Sequence, residues 1–214
     1  MYRIGYIDDQ ATQFIIYKKK IDRRFPDVEL IFLENCTTKE QFLDKIYEER
    51  IEVLLVDYKM AATFGFNGST LINYINDQMR DLECFIMTAV DQDSISDGLI
   101  ATRNIKSKTI FDTEADDEQR VKELNEFIDV LKESARVFKT RSEQKKKEYI
   151  KLFEKRQKGQ LTMNEEEEYR RLYKVLSSYG LIEKLPDEVL TYKFEQDLNE
   201  LIKCGERILE EHKK

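Results

Sequence analysis

The chain has 214 residues, 41% of them hydrophobic and 37% charged, with seven Gly and two Pro; this excludes collagen-like, linker-rich and low-hydrophobicity disordered classes and leaves room for one large or two small domains. The formal net charge is −7, and neither half is basic enough overall to announce nucleic acid. The single histidine, His212, sits at the C-terminal end, which removes Ser-His-Asp triads, His-ligated zinc and phosphohistidine donors and leaves catalysis to carboxylates, hydroxyls and lysines.

Cys36, Cys84 and Cys204 lie far apart with no CxxC spacing, the pattern of reduced thiols rather than of a disulfide framework. No stretch approaches the roughly 18 apolar residues of a membrane span. Met1 leads directly into a strand-like run with no signal-type apolar region, and the expectation is a cytoplasmic protein.

Along the first half, short apolar runs alternate with amphipathic stretches, which predicts a parallel sheet sandwiched between helices. Arg3 to Ile7, Val28 to Leu33, Val53 to Val56 and Cys84 to Met87 read as buried strands, with a weaker strand over about Asn104 to Ile110. Residues 11 to 25 carry Phe14, Ile15, Ile21 and Phe25 at helical spacing. Thr38 to Glu49 opens with a T-x-x-Q capping signal (Thr38, Gln41), and a third helix follows Gly68. A fourth helix is poorly marked, because Asp91 to Ser96 is polar without an apolar stripe.

From about Thr113 the strand signal stops, which divides the chain into residues 1–112 and a helical segment 113–214. Val121, Leu124, Ile128, Leu131, Ala135 and Phe138 fall at heptad spacing, and the register reaches Tyr149 and Leu152; such a seam asks for a partner helix, as in a coiled coil. Gly159 ends this helix, and Thr162 with Glu165 forms a T-x-x-E capping box for a second, with Tyr169, Leu172, Tyr173 and Leu176. The two predict an antiparallel hairpin. Pro186 then opens a third helix whose stripe is Leu190, Phe194, Leu198, Leu201 and Ile208. Lys139 to Lys158 holds nine basic residues against three acidic ones, a run more in keeping with a solvated helix face than with an acidic partner.

In an open α/β sheet, ligands bind beyond the carboxyl ends of the strands. Those positions carry Asp8 and Asp9 after the first strand, Asp57 after the third, Thr88 and Ala89 after the fourth, and Lys106 and Lys108 near the fifth. Three carboxylates, a hydroxyl and an ammonium thus gather on one edge. Asp8, Asp9 and Asp57 offer the hard oxygens that Mg²⁺ prefers. Without a cation such a trio repels itself, and at least one member should take up a proton.

This set resembles the receiver domain of two-component response regulators over roughly residues 1 to 112. The residues that carry the resemblance are the acid pair in GYIDD, Asp57 in LLVDYKM with Met60 third after it, Thr88-Ala89 in FIMTA, and a lysine in NIKSK. It implies a flavodoxin-like, doubly wound five-stranded parallel sheet of order 2-1-3-4-5. It also implies Asp57 as phosphoacceptor, with Mg²⁺ held by Asp8, Asp9, Asp57 and the backbone carbonyl of Lys59. Lys108 would pair with a phosphoryl oxygen, and Thr88 would move toward the new phosphate. Lys108 is preferred to Lys106 because its longer spacing from Thr88 leaves room for a helix between. A histidine kinase or phosphotransfer protein is the implied donor, and the helical segment the route to a homodimer or effector.

The sequence also departs from the family pattern. Ala61 stands where Pro is usual, and Gly68 lies eleven residues past Asp57 instead of about eight, so some three residues are inserted. Thr109 follows the lysine where Pro is common, and Ile105 occupies the place of the aromatic switch. These departures motivate an alternative, a degenerate receiver that never carries phosphate and acts as a scaffold. An aspartate-nucleophile phosphatase ranks low, since that class needs an acid two residues after its nucleophile and Lys59 is there. Specific DNA binding is disfavoured by the absence of a short helix-turn-recognition-helix pattern. No conventional enzyme activity is expected beyond self-phosphorylation and dephosphorylation.

Overall fold

The run Val53 to Val56 is apolar on both pleats, and a strand of that kind is stable only when covered from both sides. The computed structural model, which describes residues 1–89, 98–112 and 117–183, shows that arrangement. Five parallel strands, β1 (Tyr2–Ile7), β2 (Val28–Phe32), β3 (Val53–Asp57), β4 (Glu83–Thr88) and β5 (Ile105–Ser107), pair in the order 2-1-3-4-5. Helices α1 (Ala11–Arg24), α2 (Lys39–Glu48), α4 (Gly68–Gln78) and α5 (Glu118–Gln157) cover them, with a four-residue helix α3 (Ala61–Phe64) between β3 and α4. The order and the double winding match expectation.

Alternation along each strand sorts the core into two layers. Ile7, Leu54, Val56 and Ile86 face Phe42 and Ile46 of α2 and Leu71, Ile72 and Ile75 of α4. Ile4, Tyr6, Val53, Leu55, Phe85 and Met87 face Tyr17 and Ile21 of α1 and Leu124, Phe127, Ile128, Leu131 and Ala135 of α5. The capping box of α2 forms as its sequence predicts, Thr38 accepting from the Gln41 amide and Gln41 from the Thr38 amide. Strand β5 is shorter than the predicted 104 to 110, because Lys108–Phe111 closes into a 3-10 turn directly after Ser107.

The heptad expectation is corrected by α5, a single helix of 40 residues. Its seam from Leu124 to Ala135 packs on the sheet, not on a partner helix. A 3-4 apolar stripe looks the same in either role, and here the strands use it. The first half of the helix completes the core of the sheet. Its second half pairs with α6 (Met163–Ser178) in the predicted hairpin, with Leu152, Tyr169 and Leu172 at the contact. The turn is allowed by Gly159, whose φ of 64° is left-handed, and the Thr162–Glu165 capping box opens α6.

The basic run of α5 is largely engaged within the molecule. Lys139 pairs with Glu52 at 3.0 Å, Lys155 with Glu165 and Arg156 with Glu166. At the base of the sheet Asp81 is a clamp: it accepts from the Tyr179 hydroxyl at 2.6 Å, pairs with Lys145, and lies 3.6 Å from Arg141. Burial would raise the Asp81 carboxyl, but Lys145, Tyr179 and Arg141 outweigh it and hold the group below the usual carboxylate range. Its contribution is accordingly present above the ordinary value of 3.8 and lost as pH falls through the depressed one. We expect Asp81→Asn to cost roughly 1.5–3 kcal/mol at neutral pH, as for hydrogen bonds to charged groups. Urea unfolding should show that cost, and the gap from wild type should close on acidification; a gap independent of pH would count against the clamp.

The fourth helix around Asp91 to Ser96, the third C-terminal helix with Pro186, Leu190, Phe194, Leu198, Leu201 and Ile208, and also Cys204 and His212, lie outside the described residues. Among the described residues, no helix is long and apolar enough to cross a membrane.

Candidate functional site

Register brings the strand ends together. Ile7 pairs with Val56, so Asp8 and Asp57 emerge side by side. Asp57 pairs with Met87, and Thr88 with Ser107, the residue before Lys108. The last position of three neighbouring strands, or the one just after it, therefore carries Asp57, Thr88 and Lys108, next to the Asp8-Asp9 pair.

The contacts are close. Lys108 bridges two carboxylates, its Nζ lying 2.7 Å from Asp8 Oδ2 and 2.8 Å from Asp57 Oδ1, and it also donates to Gln13 Oε1 at 3.2 Å. Asp8 accepts from the Tyr6 hydroxyl at 2.6 Å and from the Gln10 amide at 2.9 Å. Asp9 accepts from the Thr63 hydroxyl of α3 at 3.0 Å. Asp8, Asp57, Thr88 and Lys108 are all buried. Lys59, two residues beyond Asp57, has an exposed side chain. Lys106 lines a cavity with Arg80, Arg103 and Glu133 beside β4, so of the two lysines it is Lys108 that reaches the carboxylates.

Carboxylate oxygens of Asp8, Asp9 and Asp57 lie within 4.8 Å of one another. Burial raises the Asp57 carboxyl above its usual value; Lys108 opposes this, and the charges of Asp8 and Asp9 add to it. Burial also works against the Lys108 ammonium, but its bonds to Asp57 and Asp8 prevail and hold it above the usual lysine range. Three carboxylates facing one ammonium leave two negative charges uncompensated. That deficit, carried on hard oxygens, fits a divalent cation such as Mg²⁺.

The close approach of α4 to this site depends on Gly68. A Cβ there would lie 2.1 Å from the Asp57 carbonyl oxygen, while the Gly68 amide donates to Tyr58 O at 3.0 Å. Residues Ala61–Phe64 form α3, in the stretch where the sequence departs from the receiver pattern, and its end at Gly65 takes the left-handed conformation, φ 77°.

Three contributors escape a reading by motif. Tyr6 shares the pleat parity of Asp8, and a tyrosine on the same pleat two positions before an acid is a usable signal. Gln13 sits one turn into α1, on no recognisable pattern. Thr63 gives no sequence signal, since its contact depends on how the inserted residues fold.

No family model matches the sequence, and no curated protein matches it. Among solved structures, the chain is similar to a CheY-like response regulator receiver domain protein from Methanospirillum hungatei JF-1, with 16% identity and TM-score 0.45 over 64% of this chain and 98% of that one. It is also similar to a chain of the complex of histidine kinase ThkA with response regulator protein TrrA, with 19% identity and TM-score 0.45 over 61% and 98%. A third is the RcsB response regulator of Salmonella typhimurium, from a study of conformational dynamism for DNA interaction, with 15% identity and TM-score 0.46 over 86% and 94%. The fold assignment itself stands on the observed sheet order.

Proposed function

We propose that the chain is a phosphoacceptor signalling protein of the two-component type, in which Asp57 is phosphorylated in a Mg²⁺-dependent reaction. The observation that supports this best is the Lys108 ammonium bridging Asp8 and Asp57, with Asp9 beside them. A carboxylate approaching a phosphoryl group meets like charge, so positive groups must be fixed in advance where the phosphoryl oxygens will lie. Lys108 is such a group, held in place by two carboxylates and Gln13. In the proposed step an Asp57 oxygen attacks phosphorus, a new O–P bond forms, and the bond to the donor's leaving group breaks. Lys108 turns from Asp57 to a phosphoryl oxygen, and the Thr88 hydroxyl donates to another. Mg²⁺, held by Asp8, Asp9, Asp57 and the Lys59 carbonyl, would supply further neutralisation of the phosphoryl charge.

A histidine kinase or phosphotransfer protein is the donor this reading implies. The receiver-like unit takes in the first half of α5 along with residues 1–112, and the output passes through the α5–α6 hairpin to an effector or a second copy. The test is incubation with Mg²⁺ and a small acyl phosphate, followed by intact mass. Wild type should gain one phosphoryl group that hydroxylamine removes, and Asp57→Ala should gain none. No gain in wild type, or an equal gain in Asp57→Ala, would overturn the proposal. One observation favours the scaffold alternative: Ile105, buried in the core, stands where the family places its aromatic switch. Cation binding without phosphoryl uptake would be its signature.

A further inference from the structure

The short helix α3 fills the extra length between β3 and α4, and it reaches the site through one side chain. Thr63 Oγ1 donates to Asp9 Oδ2 at 3.0 Å, while Phe64 next to it stacks with Phe66 at 6.1 Å and meets Phe42 of α2 edge-on at 5.4 Å. Helix α3 is thus seated by its aromatic residue and touches the acid trio by its hydroxyl. Asp9 is the most exposed of the three acids, Asp8 and Asp57 being buried. Among the described residues no ion pair fixes it, whereas Asp8 and Asp57 share Lys108. Its carboxylate accepts from Thr63, and among the described residues no other side-chain donor is seen on it.

We propose that Thr63 is a positioning residue for cation capture: its hydroxyl holds one Asp9 oxygen so that the carboxylate is already oriented toward Asp57 and Asp8 when a divalent ion arrives. This rests on the cation site described above. A carboxylate bound at one oxygen keeps lone pairs for a metal on the other, and fixing its rotamer beforehand lowers the ordering cost of coordination. Outer partners of metal ligands typically change affinity by 10–100-fold. Thr63 is exposed, which places its effect at the lower end. Linkage makes the coupling reciprocal: whatever Thr63 adds to cation binding, the cation adds to the seating of α3.

The test uses the full chain and Mn²⁺, with free ion followed by electron paramagnetic resonance. Thr63→Val keeps the shape of the side chain and removes the donor, and Thr63→Ser restores the donor without the methyl group. Thr63→Val should bind Mn²⁺ about 10-fold more weakly than wild type, and Thr63→Ser should bind close to wild type. Equal or tighter binding by Thr63→Val would overturn the proposal, as would a Ser variant as weak as the Val variant. Failure of the underlying site looks different: wild type itself would then bind no Mn²⁺, or Asp57→Ala would bind it as well as wild type.

Discussion

Lys108→Met is expected to destabilise the protein by about 3–5 kcal/mol at neutral pH, the usual cost of removing one partner of a buried ion pair. The Lys108 side chain is 10% exposed, that of Asp8 0% and that of Asp57 7%, so solvent cannot take over its role. The cost arises less from the lost attraction than from the buried negative charges left facing each other. Its pH dependence identifies the cause. The raised Lys108 group contributes fully below its ordinary value of 10.5, so across mildly acid to neutral pH its own term is constant. The variation comes from Asp57, whose carboxyl is already raised by burial and rises further once the ammonium is gone. In the variant the folded state takes up a proton that the unfolded state does not, so acidification narrows its deficit relative to wild type. Urea unfolding in the presence of a chelator, repeated down the pH scale, checks this. A deficit that stays constant would mean that packing, not charge, is what Lys108 supplies.

Gly68→Ala is the second large effect. The added carbon would lie 2.1 Å from the Asp57 carbonyl oxygen and 3.1 Å from Val56 Cγ1. The nearer atom belongs to the backbone of a central strand, so it cannot swing away like a side-chain tip. Helix α4 cannot withdraw freely either, because the Gly68 amide donates to Tyr58. Overpacking of this kind costs about 1–3 kcal/mol and occasionally more, and the upper end is expected here. Since the displaced atom is part of Asp57, Mn²⁺ affinity should fall along with stability. A variant within about 0.5 kcal/mol of wild type, the range of an unremarkable surface change, would contradict the packing described.

The parts of the molecule legible in the sequence are those with a local cause. Strand and helix order followed from buried apolar runs and 3-4 spacing, and Thr38 with Gln41 and Thr162 with Glu165 marked helix starts that the structure reproduces. The acids at strand ends were visible because parallel strands place successive C-termini on one rim. Lys108 could be preferred over Lys106 from spacing alone, and Lys108 is the lysine that reaches Asp8 and Asp57. The heptad seam misled because a helix lying on a sheet and a helix lying on another helix need the same stripe. Gln13 and Thr63 are not legible, since a hydrogen bond across elements leaves no periodic trace, whereas Tyr6, two residues before Asp8 on the same pleat, is.

Strand β3 has the phosphoacceptor candidate Asp57 at one end, and just before its other end stands Glu52, which pairs with Lys139 of α5 and accepts from the Arg3 amide at 3.1 Å. Five residues span roughly 17 Å at about 3.3 Å each. Unit charges that far apart interact by only about 1 kcal/mol even at an effective dielectric constant near 20, and salt weakens this further. A charge added at the rim is therefore felt only weakly through the electric field at the Glu52–Lys139 pair, so the anchorage of α5 there keeps its strength whatever charge the rim carries.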